Sequence, residues 1–514
     1  MRYDGCPCCG SAASFGCDEP VAPARETASD WWRRLGLGGA AEGDDRYRRR
    51  MKELAGILAR QQGFGSGRLL FKRATIVTMD PEIGDLECGD LLVEGGRIAA
   101  IDRAIDAADA VEIDAAGTIL APGMHDTHHH SWQGALRRLL PNGPLSEYAR
   151  CTHNGFAPYY RPEDMYVGNL VTALTSLSCG ITGLMDFSHN SRTPEHSDAA
   201  IEALADSGIR AAHGFAPAYT GEWDRQWPGD IERLVRKYHS AGDGRITLRL
   251  AVAFFRLESS AIEVPRALEL ARDLGIEVSI DGVFDEAASR NIEKLHAGGW
   301  LRPDVTLIHC TNLGDPAWQA IRDSGTQVSL AVTSDIHYGI AKARVPVDQI
   351  SRFGIRPSLS VDAPAALSSD MFTQMRALME YQRAKVFEAG ASPDDLIGVR
   401  DAFEFATVAG ARANGLADVC GSLTPGKAAD LIMIDAAAIE TLPLNSALGT
   451  IVLGCDAGNV EAVFVDGRPV KWAGEMLGIN LDALRRSVDA SREHLFGRAA
   501  FEPDIFAARP GPIG

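Results

Sequence analysis

The run of residues 125–133, HDTHHHSWQ, carries four histidines and an aspartate within nine positions. Burying imidazole without partners costs free energy, so this density points to chemistry rather than packing. On a strand, positions two apart share a side. His128 and His130 then aim the same way and His129 aims away. Neutral imidazoles bind zinc, iron and similar ions. Asp126, two residues before His128, is placed to orient a histidine rather than to bind a metal itself. Three more groups with metal or proton chemistry close apolar runs further along: Asp281 after IEVSI, His309 in VTLIHC and Asp362 in RPSLSVD. His189 and His213 end two other such runs, and Trp132 and Gln133 follow the histidine pair directly. These four are the expected substrate contacts. His153 and His337 fall in expected loops, with substrate contact and loop hydrogen bonding both open to them.

These groups meet only if the elements carrying them converge. Apolar, strand-like runs occur at 117–123, 181–187, 209–215, 246–255, 276–281, 305–310, 326–332 and 356–362. Helix-period segments such as EDMYVGNLVTALTSLSC and VPRALELARDLG lie between most of them. Strands alternating with helices over this length predict an α/β fold, a (β/α)8 TIM-type barrel. A doubly wound open sheet is the alternative, but it would spread the polar strand ends apart, whereas a barrel gathers them at its mouth. Before and after this middle, RLLFKRATIVTMD, GDLLVEGGRIAAID, GSLTPGKAADLIMID and NVEAVFVDGRPV read as strand, turn, strand, with Gly95-Gly96 as a hairpin signal. The two β-rich pieces can pair as one discontinuous β-sandwich. The expected divisions are an N-terminal extension over 1–66, partly flexible, then sandwich segments 67–121 and 417–475 flanking a barrel over 122–416. A C-terminal helix and tail cover 476–514.

The chain has 514 residues and a formal charge of −18, from 51 basic and 69 acidic side chains. Such a balance argues against nucleic acid and anionic membrane as partners and favours a small-molecule substrate. No stretch approaches the roughly 18 apolar residues of a membrane span, and the first residues lack the apolar core of a secretory signal. The cytoplasm is the expected location. Of ten cysteines, Cys88, Cys151, Cys179, Cys310, Cys420 and Cys455 read as reduced apolar fillers. Cys6, Cys8, Cys9 and Cys17 crowd the start, where they either offer four thiolates to a metal or lie in a flexible tail. The basic run RYRRRMKELAGILARQQG reads as an amphipathic helix, and Trp31 and Trp32 as anchors of the extension.

PGMHDTHHHSWQGALRR resembles the first-strand signature of the amidohydrolase superfamily, Pro-Gly-x-x-Asp-x-His-x-His. CGITGLMDFSH resembles its second strand, LIHCTNL its sixth-strand histidine, GIRPSLSVDAP its eighth-strand aspartate and GSLTPGKAADLIMID its C-terminal sandwich. The similarity runs from about residue 67 to 475 and is nearest to the cytosine-deaminase-like and chlorohydrolase-like branch. The resemblance implies one divalent metal per chain, zinc with iron as the alternative, held by His128 and His130 with Asp362 and His309. A divalent ion lowers the pKa of bound water towards neutrality. It implies Asp362 as the proton shuttle, His309 as a ligand or a substrate-polarising group, and a homo-oligomer.

The chain departs from that pattern in three places. Asp281 stands where relatives carry the strand-five histidine, and either ligates the metal or serves as an acid–base group. Phe284 stands where deaminases of this branch tend to carry a glutamate, unless a register shift brings Asp285 or Glu286 there. ITLRLAVAFFRLESS, the fourth strand, lacks the lysine that bridges two ions in binuclear members. The resulting expectation is a mononuclear metal-dependent hydrolase. It would cut a C–N bond, or displace an amino or halogen substituent, on a small nitrogenous and cyclic substrate. A lyase, dehydratase or cyclase on the same scaffold is the first alternative, and a non-catalytic ligand-binding homologue the second.

Overall fold

The apolar runs from residue 68 onward become strands in a computed structural model. It describes residues 43–61, 67–220, 229–239, 244–253, 264–502 and 505–506. The cysteines at 6, 8, 9 and 17 and the tryptophans at 31 and 32 lie outside the described residues. The chain divides into two compact units, 1–49 and 50–514, and the sheets and sites below all belong to the second. The basic run forms the helix Gly43–Gln61. No helix among the described residues is long and apolar enough to cross a membrane.

β1 (Arg68–Ile76) pairs antiparallel with β2 (Leu86–Glu94), which turns at Gly95-Gly96 into β3 (Arg97–Asp102). β4 (Val111–Asp114) and β5 (Thr118–Pro122) run parallel to β1. The barrel follows. Its strands are β6 (Met124–His129), β7 (Ile181–Ser191), β8 (Arg210–Pro217), β9 (Ile246–Ala253), β10 (Glu277–Phe284), β11 (Val305–Thr311), β12 (Gln327–Leu330) and β13 (Ser358–Leu359). They form one parallel sheet in sequence order. Helices such as Pro162–Ser178, Val264–Leu274 and Met371–Glu388 cover its outside. β14 (Leu431–Asp435), β15 (Val460–Val465), β16 (Arg468–Trp472) and β17 (Glu475–Met476) then return to the first sheet, β14 pairing antiparallel with β5. The two β-rich pieces of sequence therefore join in one nine-stranded, mostly antiparallel sheet, around a core that includes Phe71, Leu120, Leu431, Met433, Phe464 and Trp472. The helix Leu481–Arg498 is the last among the described residues.

The first barrel strand differs from the sequence expectation. Residues 117–123 read as that strand, but Thr118–Pro122 belongs to the smaller sheet, and the barrel begins one residue after Gly123, at Met124. A Cβ at Gly123 would sit 2.0 Å from Thr182 Oγ1, so only glycine lets the chain pass from one sheet to the other against β7. His128 thus lies within β6, and His130 just past its end. The eighth strand, Ser358–Leu359, is shorter than expected, and beyond it the chain rejoins β6 through a single bridge between His129 and Asp362, where φ is +70°. The fourth strand is seen to Ala253; residues 254–263 lie outside the described residues.

Charge ties the smaller sheet to the barrel. Arg210, on β8, donates to both carboxylate oxygens of Asp430 at 2.7 and 3.1 Å and also reaches Asp466. Arg210 and Asp430 are each 3% exposed. Removing one partner of a buried pair leaves the other charge uncompensated, at a cost of about 3–5 kcal/mol. Arg210→Ala should lose that much in urea unfolding, while the paired exchange Arg210→Met with Asp430→Leu should recover most of it. A single variant within about 1 kcal/mol of the parent would show that the pair does not couple the two sheets.

Candidate active site

The barrel closes where β6 meets the segment after β13. The Asp362 N–H donates to His128 O at 2.8 Å, and the His130 N–H donates to Asp362 O at 2.9 Å. This pairing puts the Asp362 carboxylate beside both rings: Oδ1 lies 3.2 Å from His128 Nε2 and 2.9 Å from His130 Nε2. Ser334 donates its hydroxyl to Asp362 Oδ2. β10 delivers Asp281, whose Oδ1 lies 3.2 Å from His309 Nε2 and 4.0 Å from His128 Nε2. The Gly282 N–H fixes Asp281 Oδ1 at 2.6 Å and the Tyr219 hydroxyl donates to Oδ2 at 3.1 Å. β11 delivers His309. The other nitrogen of that ring, Nδ1, pairs with Asp335 Oδ1 at 2.7 Å, which leaves Nε2 turned to the site. His309 and Asp362 both have positive φ, +74° and +70°, a strained backbone of the kind that collects at functional sites.

All five groups are buried, and their charges act on one another. Burial pushes the Asp362 and Asp281 carboxyls up, but the neighbouring imidazoles outweigh it and hold both below the ordinary range. Burial draws the His309 ring down, yet Asp335 and Asp281 lift it well above an ordinary imidazole. The same contest raises His130, through Asp362. It lowers His128, where burial wins.

This arrangement fits a metal ion. His128, His130 and Asp281 offer ligand atoms within 4.8 Å of one another, and so do His128, His309 and Asp362. Neither ring nitrogen of His128 has a hydrogen-bond partner although the residue is fully buried. Such an unpaired imidazole is costly unless something else takes its lone pair. Imidazole nitrogens with carboxylate oxygens are the donor set that suits zinc and iron.

Above these groups opens a cavity of about 320 Å³, lined among others by His130, Tyr148, His153, Tyr219, Asp281, Phe284, His309 and Asp362. Of the expected substrate contacts, Trp132, Gln133, His189 and His213 are all buried and none lines it. Trp132 and His189 instead stand behind the metal pair. The indole N–H of Trp132 donates to His189 Nδ1 at 2.8 Å, and the His189 ring stacks on His130 at 4.1 Å. Gln133 donates to the Tyr148 hydroxyl at 2.6 Å. His213 faces the helix layer, as strand alternation explains. Its strand neighbours Ala211 and Phe215 join the large core outside the barrel, while Ala212 and Ala216 pack inside with Phe187 and Ile308. His213 pairs there with Asp186 at 2.9 Å.

Asp126 does orient a histidine, but it is His129, at 2.7 Å, and its other oxygen accepts from the Val361 N–H at 3.1 Å, reinforcing the barrel closure. His153 reaches the cavity from the π-helical turn Ala149–Phe156, whereas His337 is exposed. Phe284 lines the cavity, while Asp285 and Glu286 are exposed and start the next helix. No lysine stands on β9. Sequence reasoning missed Asp335, Ser334, Tyr148 and Tyr219. Asp335 carried a usable signal, an aspartate just past the seventh strand; the tyrosines sit in irregular segments and carried none.

With this geometry in place, likeness to known proteins can be weighed. A family model described as the amidohydrolase family matches residues 119–470. The 5'-deoxyadenosine deaminase of Methanosarcina acetivorans is 26% identical over 443 residues, covering 84% of this chain and 99% of that protein. The 5-methylthioadenosine/S-adenosylhomocysteine deaminase of Symbiobacterium thermophilum is 28% identical, covering 78% of this chain and 93% of that protein. Among solved structures, an adenosine deaminase from Xanthomonas campestris with bound zinc superposes with a TM-score of 0.74. It is 21% identical and covers 84% of this chain and 98% of its own. Atrazine chlorohydrolase from Arthrobacter aurescens, complexed with zinc, superposes with a TM-score of 0.70. It is 19% identical and covers 82% of this chain and 99% of its own. Those two share the fold. The family match spans the barrel and most of the returning strands of the smaller sheet, and with it the chain belongs to the amidohydrolase family.

Proposed function

We propose that the chain is a mononuclear metal-dependent hydrolase that displaces an amino group, or an equivalent leaving group, from a carbon of a small nitrogenous ring. The observation that carries this reading is the convergence of His128, His130, His309, Asp281 and Asp362, all but His128 lining one cavity. His128, His130 and His309, with one of the two carboxylates, would hold the ion, zinc for preference. When bound, it would supply positive charge that lets a water give up a proton near neutral pH. Asp362 Oδ1 takes the proton of the attacking water and returns it to the departing nitrogen, while Ser334 keeps Oδ2 in place. Asp335 holds the His309 ring so that Nε2 faces the site. Leu145, Phe284 and Ile340 supply apolar walls that keep bulk water away from a flat substrate. Aminopurine nucleosides are the first class to assay, because the deaminases this chain resembles are named for them. Ammonia release measures the reaction, and His128→Ala should abolish it together with bound metal while the melting temperature holds. Full metal occupancy in that variant would sink the assignment.

A non-hydrolytic reaction at the same site has one observation in its favour. Asp281 places an anionic carboxylate 3.2 Å from His309 Nε2, and Phe284 gives the same wall no acid. Oxygen-18 from labelled water in the product decides for hydrolysis; its absence from a product that still forms decides for the lyase or cyclase.

Two substitutions separate the carboxylates. Asp362→Asn keeps the shape but cannot accept the proton, and should lower kcat by at least about a hundredfold with little change in KM. A loss confined to KM would remove Asp362 from the proton path. Asp281→Ala should keep the metal and lose turnover, since nitrogen donors remain available to the ion. Joint loss of metal and activity would make Asp281 a ligand, and full activity would leave it neither role.

A further inference from the structure

The two tyrosines of the cavity wall use their hydroxyl protons differently. Tyr219 donates to Asp281 Oδ2. Tyr148 accepts: the side-chain nitrogen of Gln133, itself fully buried, donates to its oxygen at 2.6 Å. Among the described residues no acceptor takes the Tyr148 hydroxyl proton, and the residue lines the cavity. Its place is firmly set. It ends the short helix Leu145–Tyr148, and its ring lies 5.1 Å from that of Tyr338 and 5.1 Å from that of His153. Burial, then Asp362 and Tyr338, lift the phenol well above its ordinary pKa, so it stays a neutral donor.

Phe284 packs against the same cluster as Tyr148, with Leu140, Tyr338 and Ile340. Phe284 gives this wall no polar group, and the Tyr148 O–H supplies one. We propose that Tyr148 donates a hydrogen bond to an acceptor atom of the substrate, a ring nitrogen in the class suggested above, and that it selects for such an atom. This rests on reading the cavity as the substrate site. A neutral phenol orients and polarises that atom without giving up its proton. The proton of the leaving group then comes from Asp362 alone, and Gln133 acts as the positioning residue that turns the Tyr148 proton towards the cavity.

The test places 3-fluorotyrosine at position 148 of the full-length, metal-loaded enzyme and follows its fluorine resonance. The probes are adenosine, cytosine and melamine, which carry a ring nitrogen beside an amino group, and aniline, which has no ring nitrogen. The resonance should move with at least one of the first three and stay still with aniline. A signal that none of them moves, or that aniline moves equally, overturns the proposal. On any probe from which the parent enzyme releases ammonia, Tyr148→Phe should lower kcat/KM about five- to tenfold, the net worth of one neutral hydrogen bond. Metal content and melting temperature should not change, and an undiminished kcat/KM overturns the proposal. If no probe yields ammonia while the fluorine signal still moves, the proposed reaction fails and the Tyr148 contact stands.

Discussion

Everything at the barrel mouth depends on two backbone hydrogen bonds, from Asp362 to His128 and from His130 to Asp362. They close the barrel, and they do so with the residues that carry the chemistry. Closure and site assembly are therefore one event. The positive φ of Asp362 follows from this double duty, because the segment must pair with β6 and at the same moment turn its carboxylate inward. Buried polar contacts reinforce the seam. Asp126 accepts from Val361, and Thr127 shares its hydroxyl with Ser329, Ser358 and the carbonyl of Leu359.

Once closed, the site confines three imidazoles and two carboxylates in a space with almost no water contact. Neither set could be buried alone. Each carboxylate keeps its charge because a ring stands beside it, and His130 and His309 are raised by those same carboxylates. Asp335 adds a third carboxyl behind His309, raised by its burial. It supports the ring from the side away from the cavity, the arrangement by which a histidine's partner selects the nitrogen it presents.

Much of this was legible in the sequence. The His-x-His pair, the strand ends at Asp281, His309 and Asp362, and the alternation of strands and helices led to the fold and to a convergent set of groups. The limits were geometrical. Strand alternation, applied at His213, would have turned it outward with Ala211 and Phe215, but the strand's inner face could not be told from apolar residues on both sides. Trp132 and Gln133 follow the ligands in sequence yet enter a tight turn, Ser131–Leu136, that carries them behind the cavity wall. The first barrel strand was displaced because TILAP is a plain apolar run, whereas MHDTHH is almost wholly polar and carries no apolar strand signal. Tyr148 and Tyr219 come from segments without periodicity, and only folding brings them to the wall.

The order of the strands also matters while the chain is being made. β5 is an apolar strand whose final partner on one side, β14, is translated about 300 residues later, after the whole barrel. Until then the nascent smaller sheet carries an open edge of unpaired amide and carbonyl groups, the feature that invites intermolecular pairing. The barrel itself, whose strands add one after another in sequence order, has no such wait. A ribosome-bound or truncated chain that ends before residue 431 thus presents a finished barrel beside an adhesive β-edge. The last strands complete the sheet and cap the edge against self-association.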